Sequence, residues 1–111
     1  MSTKKRIYLD YAAATPLDVA VIRAMVPFFR KQYGNPSSIH TSGRIARAAI
    51  EESRKKIASI LHAEPRNILF TGSGTESAAL ALQGVMRAYG KSAHIVTTSI
   101  EHAAVLENVR K

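Results

Sequence analysis

Residues 70–77, Phe-Thr-Gly-Ser-Gly-Thr-Glu-Ser, hold the groups best suited to chemistry on an anion. They stand between an apolar run, Asn67-Ile68-Leu69-Phe70, and an alanine- and leucine-rich run over 78–89. Ser73 and Glu76 have the S-x-x-E spacing of a capping box. In such a box the serine accepts an N–H near the glutamate, and the glutamate folds back onto the serine's N–H. Gly72 and Gly74 let a ligand come close to the main chain. The N–H groups of Gly74 and Thr75, the Thr75 hydroxyl and the helix dipole all favour an anion, phosphate above all. An ordinary capped turn reads the same way over eight residues, so both readings stand at this point. The stretch is not a P-loop, because no lysine follows Gly74, and Ser77 stands where a dinucleotide fingerprint needs its third glycine.

His102, in Ser99-Ile100-Glu101-His102, is the second candidate group. An imidazole titrates near neutrality, so it can shuttle a proton, and its flat ring can stack on another. A lone histidine is more often a surface or core residue, and position must raise it above that. His40, His62 and His94 show no metal-ligand spacing with it, and the absence of cysteine removes thiolate metal sites and disulfides. No metal site is expected.

The surrounding pattern predicts where these groups stand. Residues 7–9 are a short extended candidate. Thr15-Pro16-Leu17-Asp18 reads as a helix start, with threonine as cap and proline in the first turn, followed by Leu17, Val21, Met25 and Phe28 at helical spacing. Pro27 is placed to kink that helix. Tyr33-Gly34-Asn35-Pro36-Ser37-Ser38 is a loop. A long helix is expected over 43–62, with Ala46, Ile50, Ser53, Ile57 and Leu61 inward and Glu51–Lys55 and Glu52–Lys56 as exposed pairs. His62 is expected at that helix's end, and His94 at the opening of a strand. Strands over 68–71 and 94–98 alternate with helices from about 74 to 89 and from about 99 onward. This order argues for an α/β fold with a mainly parallel sheet and helical crossovers. Loops 72–75 and 99–102 then both follow strands, on the carboxyl rim where ligands of open α/β sheets bind.

Composition sets the outer limits. The chain has 111 residues, 46% of them hydrophobic, which suits one modest domain. A net charge of +8 raises nucleic acid as a partner, yet the basic residues are scattered (Lys4, Lys5 and Arg6, then Arg44, Arg47, Arg54, Lys55 and Lys56) and only 6% are aromatic. A solvated basic surface is the simpler reading, and nucleic acid is not expected as a partner. No run is apolar and long enough for a membrane span or a signal peptide, so a cytoplasmic protein without membrane association is expected. Met1 reads as a natural beginning, whereas the last residues stop inside a helical pattern without a glycine or proline, which reads as a fragment.

Four segments together carry a resemblance: "IYLDYAAATPLD", "YGNPSSIHTSGR", "ILFTGSGTES" and "TSIEHAAVLE". In order and spacing they resemble the amino-terminal part of the cysteine desulfurases, pyridoxal-phosphate (PLP) enzymes of the class V aminotransferase family. The resemblance spans about Ile7 to Glu107. It implies the amino-terminal part of a fold-type-I PLP-dependent transferase, with 1–15 in the small domain and 16–111 opening the large PLP-binding domain. It implies PLP as cofactor, with Gly74 and Thr75 on its phosphate and His102 on its ring as an acid–base group, and it places Asn35 on the substrate side. The implied reaction converts L-cysteine to L-alanine and passes sulfur to an acceptor or scaffold protein for iron–sulfur cluster or thio-cofactor synthesis, usually in a homodimer. Another class V enzyme, an aminotransferase or selenocysteine lyase, is the alternative, and a small basic nucleic-acid-binding module is a more distant one. Ala78-Ala79 stand where the family often has a polar pair. None of lysines 4, 5, 31, 55, 56, 91 and 111 matches the family's cofactor lysine, and no cysteine is present to carry sulfur. The chain alone is therefore expected to be inactive.

Overall fold

The computed structural model describes residues 6–110, and of Lys91 the backbone only. Expectations that rest on Met1, Lys4, Lys5 and Lys111 lie outside the described residues. The chain forms two compact units that divide between Pro65 and Arg66.

In the first unit, α1 spans Val19–Arg30 and α2 spans Thr41–Ile60. The start of α1 falls later than the Thr15-Pro16 signal suggests. Asp18 is the cap instead: its Oδ1 accepts the Ala20 N–H at 2.7 Å. A short carboxylate in extended backbone is among the best acceptors for the free N–H groups of a helix start. The helix runs through Pro27 and ends where Lys31 and Gln32 N–H both reach the Pro27 carbonyl, at 2.8 and 2.9 Å.

α2 begins two residues before the expected start because the imidazole of His40 caps it, Nδ1 accepting the Gly43 N–H at 3.4 Å. It ends in a Schellman arrangement. The Ala63 N–H reaches the Ala58 carbonyl at 2.9 Å, and the His62 N–H reaches Ser59 at 3.3 Å. His62, at φ 52°, thus lies past the helix in the left-handed region, a place usually held by glycine. The buried line of α2 is Gly43, Ala46 and Ala58, while Ile50, Ile57 and Leu61 of the expected stripe stay exposed. At Gly43 the burial comes from backbone packed against it. A Cβ on Gly43 would lie 2.7 Å from the Asn35 carbonyl oxygen and nearer still to that of Ser38. One on Gly34 would lie 2.9 Å from the Gly43 nitrogen and overlap the Ser42 carbonyl. The 34–38 loop is therefore seated on the first turn of α2 through two glycines.

On the outer side, Glu52–Lys56 pairs as expected at 2.7 Å, and this cation holds the Glu52 carboxyl below its ordinary pKa. Glu51 departs from expectation: it takes Arg54 at i+3, 3.2 Å away, instead of Lys55. Exposed pairs of this kind contribute only about 0.2–0.5 kcal/mol each.

A 3₁₀ turn at Pro65–Asn67 falls at the division, and the second unit continues with α3, Gly74–Tyr89, which has the expected bounds. Gly90, at φ 58°, turns the chain into a 3₁₀ turn at Gly90–Ser92, and α4 follows at Ala103–Val109. The α4 start is four residues later than the pattern suggests, because His102 is its cap. The two helices pack together, and the Gln83 amide donates to Asn108 Oδ1 at 3.2 Å between them. Asn108 is held in turn by the Ala104 carbonyl at 2.7 Å.

Among the described residues no strand ladder forms at 7–9, 68–71 or 94–98. A strand exists only through a hydrogen-bonded neighbour, and the apolar character of these segments does not supply one. Their side chains correspondingly lack cover: Leu69 is 77% exposed and Val96 94%. Ala46 and Ala58 are the only buried hydrophobic residues among those described. Helix α1, apolar except for Arg23 and Arg30, likewise leaves Phe29 70% exposed. Helices and strands of this composition are normally covered on both faces.

Two outcomes follow for chemical denaturation of the chain. Gly34→Ala and Gly43→Ala each lower stability by about 1–3 kcal/mol, the cost of overpacking, whereas Gly84→Ala, in open space within α3, raises it by about 1 kcal/mol. His62→Gly relieves the left-handed backbone and raises stability by about 1 kcal/mol; an unchanged midpoint would contradict the cap assignment.

Candidate functional site

The chain between Phe70 and α3 is set by hydrogen bonds of its own side chains. Ser73, in extended backbone, is the N-cap of α3 and accepts the Glu76 N–H on Oγ at 3.2 Å. The Glu76 carboxylate folds back as a capping box requires, but one residue further. Its Oε2 accepts the Gly72 N–H at 2.7 Å, not that of Ser73. The extended cap places the Gly72 N–H, and not its neighbour, within reach of the carboxylate. The carboxylate is thereby engaged on the residue before the cap.

Gly74 and Thr75 are the first two residues of α3. Their N–H groups are among the four at a helix start that have no intrahelical acceptor. Ser73 takes the Glu76 N–H and the Ser73 carbonyl takes that of Ser77, while no acceptor among the described residues takes those of Gly74 and Thr75. A Cβ on Gly74 would meet nothing within 4 Å. Nothing in the described chain therefore demands glycine there, and the space over the free donors is open. Two free donors, a hydroxyl and the positive end of a 16-residue helix form a site that fits a phosphate.

His102 stands at the N-cap of α4, one position before the helical turn expected for it. Its Nδ1 accepts the Ala104 N–H at 3.1 Å. The cap fixes the tautomer: the neutral ring carries its proton on Nε2, and that nitrogen is left to serve a partner. The preceding turn is tied by the Thr98 hydroxyl, which donates to Glu101 Oε1 at 3.0 Å. Among the described residues no hydrogen bond or ring contact joins His102 to Gly74 or Thr75.

Asn35 belongs to the first unit. Its Oδ1 accepts the Ser37 N–H at 2.9 Å and its carbonyl accepts that of Ser38, also at 2.9 Å. These bonds shape the loop that seats on α2 and leave the side-chain amide nitrogen available. His40, open between a functional and a local role from the sequence, has the local one of a cap. Among the described residues no His, Asp or Glu cluster could hold a metal, and no helix is long and apolar enough to cross a membrane.

Sequence reasoning missed Thr71 and Ser77. Their hydroxyls lie 2.6 Å apart across the turn, and both lie within hydrogen-bonding distance of the Ser73 carbonyl. The available signal was the hydroxyl at the fourth position after the cap, where a residue commonly packs back onto the incoming chain.

Comparison with known proteins bears on the whole stretch. The sequence profile of the family described as aminotransferase class-V matches residues 7–111. A cysteine desulfurase IscS of Dictyoglomus turgidum is 52% identical over 105 residues, which are 94% of this chain and 27% of that protein. A putative cysteine desulfurase IscS 1 of Bacillus subtilis is 45% identical over 108 residues, 96% of this chain and 28% of that one. Among solved structures, a NifS-like protein superposes with a TM-score of 0.86 at 40% identity, covering 96% of this chain and 29% of its own. The chain thus spans just over a quarter of the length of these relatives. Its backbone follows the amino-terminal part of an α/β, fold-type-I PLP-dependent transferase. From the match over residues 7–111, the chain belongs to the class-V aminotransferase family.

Proposed function

We propose that this chain is the cofactor-phosphate and ring-facing part of a PLP-dependent cysteine desulfurase. The observation that carries the proposal is the pair of free N–H donors at Gly74 and Thr75, with open space over Gly74, in a chain whose relatives are named cysteine desulfurases. Phosphate is the group such a helix start holds best. PLP, when bound, supplies the electron sink for breaking bonds at the substrate's α-carbon.

The residues of this chain have separate tasks. Gly74 and Thr75 bind the phosphate through their N–H groups, and the Thr75 hydroxyl adds a third donor. His102 lies against the ring, its Nδ1 held by Ala104, and holds or moves a proton at Nε2. Asn35 faces the substrate from its loop. Residues 1–15 belong to a small domain, and 16–111 open the large one. A lysine to hold the cofactor, an acid for its ring nitrogen and a cysteine thiolate to take the sulfur come from outside these residues. The substrate is L-cysteine, the products are L-alanine and sulfur on an acceptor protein for cluster or thio-cofactor synthesis, and the working unit is a cytoplasmic homodimer.

Exchange of residues 1–111 for the matching segment of the Dictyoglomus turgidum enzyme tests this. The chimera is expected to release alanine from L-cysteine, and the chain alone with PLP is expected to release none. Turnover by the chain alone, or a folded but inert chimera, would overturn the proposal. Within the chimera, His102→Asn keeps a good helix cap and removes the imidazole, so kcat falls by about 10²-fold or more with little change in the melting temperature. Equal losses of activity and stability in His102→Asn and His102→Ala would reduce the residue to a cap.

A further inference from the structure

The turn that presents Gly74 and Thr75 is closed twice. Glu76 takes the Gly72 N–H, and beyond it Thr71 Oγ1 meets Ser77 Oγ at 2.6 Å. The Ser73 carbonyl lies 3.1 Å from the first hydroxyl and 3.2 Å from the second. It also accepts the Ser77 N–H at 3.0 Å. Two hydroxyls carry two protons, so whichever of them donates across the turn, the other donates to the Ser73 carbonyl. All three groups are engaged in either arrangement. Ser77 is the fourth residue of α3, and Thr71 lies two residues before the cap. An apolar pair near these positions would fix the angle at which the chain enters the helix. Here a pair of hydroxyls does so, and it leaves the mouth of the helix clear.

We infer that Thr71 and Ser77 form a hydroxyl clasp that positions the Gly74 and Thr75 N–H groups for the phosphate. The inference rests on the cofactor reading above. Neither hydroxyl touches the anion, so both are positioning residues. The clasp fixes the Ser73–Gly74 peptide through the Ser73 carbonyl, and with it the direction of the Gly74 N–H and of the Thr75 N–H that follows. Without it the turn keeps only the Glu76–Gly72 bond and the Ser73 cap, and the donors must be ordered again when an anion arrives. That ordering lowers affinity for phosphate specifically. It leaves untouched whatever holds the rest of the cofactor.

The test follows the backbone amides of the full chain by NMR. Inorganic phosphate, PLP and pyridoxal, which lacks the phosphate, are titrated in turn. In the native chain the Gly74 and Thr75 amides are expected to shift with the first two and not with pyridoxal. Thr71→Val, which keeps the side chain's shape, and Ser77→Ala each weaken PLP and phosphate about five- to tenfold, the worth of one hydrogen bond. The double variant loses less than the sum of the two single losses, since the bond between the hydroxyls is shared and is lost only once. Thr71→Ser restores native affinity. Should Ser77→Ala unfold the turn, Thr71→Val still reads the clasp. Native affinity in both single variants, or strictly additive losses, would overturn it. Amide exchange without ligand separates the two proposals. Faster exchange at the hydrogen-bonded amides of Gly72 and Ser77 in Thr71→Val, with no response of the native chain to phosphate, would sink the cofactor site while keeping the clasp as a brace of the turn.

Discussion

Four backbone N–H groups, those of Ala20, Gly43, Glu76 and Ala104, set where α1, α2, α3 and α4 begin. Each is accepted by a side chain just before its helix: Asp18, His40, Ser73 and His102. A helix start leaves several donors unserved, and a side-chain acceptor both satisfies one and fixes the backbone that leads in. In a chain with few buried apolar side chains, these local bonds do much of the placing. They also decide what is left over. When Ser73 takes the Glu76 N–H, the donors of Gly74 and Thr75 remain free for another acceptor. With Ala104 on its Nδ1, His102 has only Nε2 for a partner.

The same economy appears in the packing. The 34–38 loop reaches α2 through Gly34 and Gly43, where any side chain would strike backbone carbonyls. Asn35 and Ser38 are therefore held by main-chain geometry and not by a hydrophobic cluster. Around α1 and the segments at 68–71 and 94–98, apolar side chains stay uncovered among the described residues. Apolar segments of this kind serve as inner faces in layered α/β folds, the class of the NifS-like structure on which the chain superposes.

A helix start of this kind can hold a phosphate without a cation. Two N–H groups and a helix dipole suit an anion that must be held firmly but not buried in charge. Glu76, the acid nearest this helix start in sequence, is turned back onto Gly72. The surplus of basic residues lies elsewhere along the chain, much of it on α2. Charge alone therefore says little about what the chain binds, whereas the order of groups between Thr71 and Ser77 says a good deal.

What the sequence settled unaided was local and regular. The bounds of α3, the Ser73 cap, the Glu52–Lys56 pair and the position of Gly74 and Thr75 at a helix start all follow from residues within four places of one another. Four motifs in register were enough to name the family. Tertiary structure decided what depends on the path of the chain between those residues. It moved the Glu76 carboxylate from Ser73 to Gly72, gave Glu51 to Arg54, and made caps of His40 and His102. Two hydroxyls six residues apart, on Thr71 and Ser77, met across the turn only because an extended Ser73 bends the chain back on itself. The strands show the same divide. Apolar sequence can mark a segment as suited to a sheet, but a ladder is made only by the neighbour that shares its hydrogen bonds.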